Sequence, residues 1–198
     1  MADAGAPEPL AEPFPLLGGV LFDEHSLEEL LAHVLRVLAQ TMPSVSAGSI
    51  SLVRGGAVFT SNSTSADARQ ADDAQYRSGL GPCLAAIVTG EQLRVEIDTA
   101  RERWPEYASA AIEAGFHTSL STPLRVRDET LGALNLYGHA PDGFQGAEQR
   151  LAELFAEQAS IALRNALAYM SVNETAANLK EALASREAIG IATGLLMG

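Results

Sequence analysis

Cysteine is almost missing from this chain: Cys83 is the only one in 198 residues. A single thiol excludes an internal disulfide framework and a cysteine-based zinc cluster. Long apolar runs are missing too. None approaches the roughly 20 residues needed to span a bilayer, and mean hydropathy is close to zero. The opening residues, MADAGAPEPLAEPFPLLGG, have no basic start and no sustained apolar core, so they do not read as a secretory signal. Cytoplasmic residence without membrane association is the expectation. Basic residues are scarce, and the net charge of −12 repels polyanions. From Gly146 onward four basic residues (Arg150, Arg164, Lys180, Arg186) face six acidic ones (Glu148, Glu153, Glu157, Glu174, Glu181, Glu187). No basic stripe is available there to neutralise phosphates. The histidines show no metal-binding spacing, since His25 and His33 lie eight apart and no HExxH pattern occurs. A metal site is therefore not predicted. There is no Walker sequence, and the Gly79-Leu80-Gly81 stretch is too short for a dinucleotide fingerprint. Without a Ser-His-Asp arrangement to assemble, no catalytic residue is assigned.

What is present is a regular alternation of helix and strand patterns. Ser26 and Glu29 form a capping box ahead of LEELLAHVLRVLAQ, whose apolar residues recur at helical spacing until Pro43 ends the region. SISLVRGGAVFTS predicts two short strands around Gly55-Gly56. ADARQADDAQYR is polar and weakly helical. GLGPCLAAIVTGE predicts a short helix with Pro82 at its first position and Gly90 at its C-terminal cap. LRVEI reads as a strand and RWPEYASAAIEAGF as another short helix. HTSLSTPLRV and TLGALNLYG are two more strands joined by a polar turn. The order is helix, strand, strand, helix, strand, helix, strand, strand, helix. The short links between strand pairs predict a mostly antiparallel sheet covered by helices, an α+β fold.

Proline is absent from about Gly146 onward, and helix formers dominate. A continuous helix of about 45 residues would be roughly 68 Å long, longer than a core of this size. Its distal part must therefore bury its apolar stripe elsewhere. Tyr169, Val172, Ala176, Leu179 and Leu183 follow spacings of three and four. Extended backward, the register places Asn165, Ala162, Gln158 and Phe155 on the same seam. A polar Asn on such a seam fixes register and strand number, so a homodimeric coiled coil is expected. The alternative is a helix folded back on its own domain.

Three stretches carry a family likeness. SGLGPCLAAIVTGEQLRVEI resembles the middle of a GAF domain of the actinobacterial regulatory type. SLSTPLRVRDETLGALNLY resembles its last two strands, and FQGAEQRLAELFAEQASIALRNA its closing helix. The resemblance covers roughly Leu27 to Ala168. The tail LKEALASREAIGIATGLLMG resembles the start of an ANTAR module, with Thr193 where the usual pattern has Lys. In that family a coiled coil leads into a small helical bundle that binds paired RNA hairpin loops and prevents transcription termination. The Pro, Ala and acidic residues of the opening stretch predict a mobile N-terminal tail at 1–22, and the resemblance implies a sensor domain at 23–168, a coiled-coil linker at 169–184 and an incomplete ANTAR module at 185–198. RNA is then a partner of the complete protein and not of this fragment. The RNA-binding residues themselves cannot be carried over.

GAF domains hold small molecules between the sheet and its covering helices, and the resemblance implies a ligand pocket of that kind here. The ligand's identity is unknown, and no cofactor is required by the sequence. Candidate pocket residues are Tyr76, Cys83, Trp104, His117, Ser119, Ser121 and Tyr137, with Asn135 nearby. Alternation puts Ser119 and Ser121 on one face of their strand and Leu120 and Thr122 on the other. Cys83, one residue into a helix, is either a reactive thiol or a small buried packing residue. His117 is the best candidate for a haem axial ligand, or else a surface histidine at a strand end. Trp104 before Pro105 is suited to anchoring the short helix. Three functions compete: a dimeric signal-sensing regulator, a ligand-free dimerisation and docking module, and a small-molecule redox enzyme. The last resembles GAF-type methionine sulfoxide reductases, whose disulfide exchange needs a resolving thiol that this chain lacks. The enzyme is therefore the weakest of the three.

Overall fold

The computed structural model describes residues 24–169 and 171. Helix α1 (Glu24–Thr41) buries Leu27, Leu31, Val34, Leu35 and Leu38, the i, i+3, i+4 stripe of an amphipathic helix. It begins at Glu24, so Ser26 lies inside the helix and not at its cap, as the capping-box pattern had suggested. A hairpin follows, β1 (Ala47–Arg54) and β2 (Ala57–Ser63). Its two-residue turn has positive φ at both positions, 60° at Gly55 and 81° at Gly56. That geometry matches the right-handed strand twist, and glycine adopts it without a Cβ penalty.

Helix α2 (Ala66–Ser78) starts at Ser65, whose side chain accepts from the Ala68 amide. The sequence shows only a weak helical signal there and no place in the predicted order. Helix α3 (Pro82–Thr89) has Pro82 in its first turn and ends at left-handed Gly90, whose amide donates to Ala86 O. Strand β3 (Leu93–Glu96) runs into a short 3-10 turn at Ile97–Arg101, then α4 (Pro105–Glu113). The long hairpin β4 (Thr118–Val126) and β5 (Glu129–Gly138) leads to the closing helix α5, residues 147–169.

The strands form one sheet in the order β2-β1-β5-β4-β3, antiparallel throughout. Successive side chains alternate between its two faces, and the two faces differ chemically. One presents Ile50, Leu120, Leu124, Leu134 and Leu136 to α1 and α5, which contribute Leu31, Leu38, Phe155, Ala159 and Leu163 to a continuous apolar core. The other lies under α2, α3 and α4. Apolar packing there is confined to a second cluster around Ile97, Trp104, Tyr107, Ala108, Phe116 and Tyr137.

The expected coiled-coil seam changes in this frame. Phe155 and Ala162 are buried at 6% and 4% exposure, and Phe155 belongs to the core against α1 and the sheet. They serve their own domain because α5 must close one side of the sheet. The exposed apolar side chains of α5 are Leu154 (58%), Ile161 (52%) and Tyr169 (41%). Leu154, Gln158, Ile161, Asn165 and Ala168 trace a 4-3-4-3 spacing on the outer side of the helix; this stripe keeps Gln158 and Asn165 of the expected seam and has Leu154 and Ile161 in place of the buried Phe155 and Ala162. Val172, Ala176, Leu179 and Leu183, like the tail at 1–22 and the residues at 185–198, lie outside the described residues.

Candidate functional site

The face beneath α2, α3 and α4 carries a polar stripe across the centre of the sheet. Register places Ser49 and Ser121 on either side of Asn135, and Ala47 and Ser119 on either side of Tyr137. Ser49, Ser51, Ser119, Ser121 and Asn135 are all at most 2% exposed. Helix α2 covers this stripe. Its buried face is Ala68, Ala71, Asp72, Ala74 and Gln75. The alanines let the helix approach closely, and the two polar side chains reach the sheet and the start of α3.

The hydrogen bonds converge on one group. Tyr137 OH donates to Asp72 Oδ1 at 2.6 Å, and Thr60 Oγ1 donates to Asp72 Oδ2 at 2.8 Å. Asn135 Nδ2 lies 3.4 Å from Oδ1 and donates to Ser51 Oγ at 2.9 Å, while its Oδ1 accepts from Ser121 Oγ at 2.9 Å. Ser51 Oγ also accepts from the Cys83 thiol at 3.4 Å. With both lone pairs engaged, Ser51 donates its own proton to Tyr76 OH at 2.6 Å. Tyr76 OH then donates to Thr60 Oγ1 at 3.0 Å, and Thr60 donates to Asp72. Every proton in this chain is directed toward the Asp72 carboxylate. At its edge Tyr107 OH donates to Ser119 Oγ at 2.6 Å.

Electrostatics follow from burial. Asp72 is fully buried, which pushes its carboxyl up to about 6; its hydrogen bonds oppose that shift and the nearby Asp73 adds to it. Among the described residues no Lys, Arg or His forms an ion pair with it. Burial, reinforced by the Asp72 charge, holds the Cys83 thiol up at about 12. Tyr76, Tyr107 and Tyr137 are also raised, in each case first by burial. At neutral pH the cluster thus holds one charge, the Asp72 anion.

Gln75 is the other unusual member. Its Oε1 accepts from the Cys83 backbone amide at 2.8 Å, which fixes the orientation of the side-chain amide. Nε2 is buried and has no hydrogen-bond partner. An unsatisfied buried donor costs about 1–3 kcal/mol, so native structures rarely keep one without a reason.

Of the sequence candidates, Tyr76, Cys83, Ser119, Ser121 and Tyr137 meet on this face. Trp104 does not join the hydrogen-bonded cluster. It is 6% exposed at the start of α4, packs in the second apolar core and carries the Arg103 guanidinium 4.4 Å from its ring. His117 is a correction: its side chain is 45% exposed at the sheet end, with Nδ1 3.5 Å from Asp98 Oδ2. It points away from the interior where a haem ligand would be needed. Among the described residues no group of three His, Cys, Asp or Glu side chains is placed to hold a metal ion.

The family model for the GAF domain matches residues 24–164, most of this chain. The chain belongs to the GAF domain family. Solved structures agree on the fold. A domain of a two-component sensor histidine kinase protein from Sinorhizobium meliloti 1021 matches with a TM-score of 0.60 at 18% identity, over 74% of this chain and 96% of that one. The GAF domain of a two-component sensor histidine kinase from Bacillus halodurans matches at 0.57 and 9% identity, over 75% and 98%. Type II free methionine-R-sulfoxide reductase from Thermoplasma acidophilum matches at 0.57 and 9% identity, over 71% and 94%. No curated protein sequence matches the chain. Each of these proteins shares the fold of the described residues. Among the described residues no helix is long and apolar enough to cross a membrane.

Sequence reasoning missed Asp72, Gln75, Thr60, Ser49, Ser51 and Tyr107 in this GAF domain. Two signals were available. Ser49 and Ser51 alternate with Ile50 and Leu52, a period-two pattern with a polar inner face. Ala68, Ala71, Asp72 and Gln75 recur at helical spacing in a segment otherwise too polar to read as a core helix.

Proposed function

We propose that this chain is the sensory part of a dimeric cytoplasmic regulator. In this reading the polar cluster under α2–α4 receives a small molecule, and α5 carries the resulting change outward along a helix pair to an ANTAR-type RNA-binding antitermination module. The observation that carries the reading is the two-sided nature of α5. Its inner side closes the apolar core of the sensor, while Leu154 and Ile161 leave an apolar stripe on its outer side. An element shared between a domain core and a second surface is suited to relaying a change in packing, provided the signal binds two states differently. The resemblance of the tail to an ANTAR module supplies the output.

The enzyme reading lacks support from the site. Cys83 is fully buried, its proton is held by burial, and no second thiol is present for exchange. Internal satisfaction of most of the cluster favours a second reading, in which the GAF domain binds no ligand and serves dimerisation and docking. Sedimentation equilibrium tests the first reading's core. A concentration-dependent dimer that dissociates in Ile161→Glu and Leu154→Glu is expected. A monomer at every concentration accessible would end the relay account.

A further inference from the structure

The apolar face of the sheet is left open where α1 begins. Between the first turns of α1, the last turns of α5 and the turn end of the β1–β2 hairpin lies a groove of about 250 Å³. Leu27, Leu52, Phe59, Leu131, Leu163 and Leu167 form its walls, and the charged side chains beside them, Glu28 and Arg54, are exposed. Phe59 itself is 40% exposed. Clefts for drug-sized molecules run to roughly 300–1,000 Å³, so the groove is better matched to a few side chains of a protein segment. It lies on the opposite face of the sheet from the polar cluster and shares no residue with it.

The chain supplies such a segment beside the groove. Residues 14–22 read FPLLGGVLF; six of the nine are large and apolar, and none is charged. The acidic residues Asp3, Glu8 and Glu12 all precede it. This composition is the opposite of one that keeps a segment solvated. Pro15 and the Gly18-Gly19 pair disfavour a backward continuation of α1, and the glycines give the chain freedom to reverse direction. Helix α1 begins at Glu24. That start puts Asp23 where a capping carboxylate is favoured and makes Phe22 and Leu27 the pair that a hydrophobic staple joins. Leu27 is also a wall of the groove. We propose that residues 14–22 fold back into this groove of their own chain as an apolar strap, joining the start of α1 to the end of α5. A segment attached this closely has an effective concentration of about millimolar. A second copy competes from bulk solution, and its charge of −12 repels the first. The strap holds the last described turns of α5 against the sheet, whatever the opposite face binds.

The test uses the whole chain. Methyl-labelled NMR is expected to show contacts from Leu16, Leu17, Val20 or Leu21 to Leu27, Leu163 and Leu167. Phe59→Asp replaces a side chain already partly in solvent. It should abolish those contacts and let chymotrypsin cut within residues 14–22 about ten-fold faster or more, as for a segment freed from local protection. The double variant Leu17→Asp/Leu21→Asp should lose the same contacts while altering no described residue. Thermal midpoints establish that both variants fold. Absence of the contacts in the wild type overturns the proposal. So does cutting that Phe59→Asp leaves unchanged. Contacts found only between labelled and unlabelled chains in a mixed sample would give the groove to a second copy and overturn it as well.

Discussion

A single carboxylate sets the character of the site. Asp72 holds its proton up to a pH of about 6 in the folded chain, against an ordinary value near 3.8. Between those values the native state binds more protons than the unfolded chain, so stability falls as pH rises from about 4 to about 6 and then levels off. A shift of this size corresponds to about 3 kcal/mol. Replacement by Asn removes the titration while keeping the shape. One side of the amide would then face the Tyr137 or Thr60 donor with an N–H of its own, which costs about 1–3 kcal/mol at any pH. The absolute stability of Asp72→Asn therefore mixes two effects, whereas its pH dependence isolates one. Measured by urea unfolding at pH 4 and pH 7, the difference between wild type and variant should move by about 2 kcal/mol in the variant's favour, since the unfolded carboxyl is already partly ionised at pH 4. No movement would mean that the carboxyl titrates as it does in water. Cys83 gives a second check at this scale. Fully buried and hydrogen-bonded to Ser51 at 3.4 Å, it should resist a thiol reagent in the native state and react at once in denaturant. Rapid native labelling would contradict the closed cluster.

At the scale of elements, turns and sheet contacts make different demands on similar residues. Gly56 has φ of 81° and open space where a Cβ would point, so Gly56→Ala carries only the left-handed backbone penalty, about 1 kcal/mol. A Cβ on Gly132 would fall on the carbonyl oxygen of Ser51, within the β1–β5 ladder that holds the polar stripe in register. Gly132→Ala should thus be much the more destabilising of the two in a denaturation series, and the reverse order would be evidence against this strand pairing. The contrast also marks what the sequence made legible. The Gly55-Gly56 hairpin, Pro82 and Gly90 around α3, and the paired strands at the end could be read because local backbone chemistry dictates them. Helix α2 was understated because its inner face is alanine and polar side chains, so a reading based on apolar period had little to detect. For the same reason Asp72 and Gln75 went unseen while Tyr76, four residues after Asp72, was singled out as an aromatic. Phe155 and Ala162 were assigned to an outward seam, although they are buried in their own domain, because two stripes share that helix. Separating the stripe that faces the sheet from the one that faces outward needs the position of α1, which is a tertiary fact.

For the whole molecule, charge and apolar area oppose each other. Each chain carries a net charge of −12, so two copies repel at long range, and any pairing must be held by short-range contacts such as Leu154 and Ile161 on α5. Glu153 and Glu157 flank that stripe together with Arg164, leaving little scope for a dominant set of ion pairs. Salt screens repulsion between exposed charges beyond about 8–10 Å at physiological ionic strength but hardly touches apolar burial. The dimer proposed here should therefore tighten as salt is raised from low to moderate concentration, by a few-fold in its dissociation constant. A dimer that loosens with salt would instead be held by charge pairs. The same field predicts that residues 1 to 198 alone bind a paired-hairpin RNA negligibly at any salt, since phosphate binding needs cations that this chain does not concentrate. Tight association that weakens as salt rises would place a basic RNA surface where neither the described fold nor the charge distribution provides one.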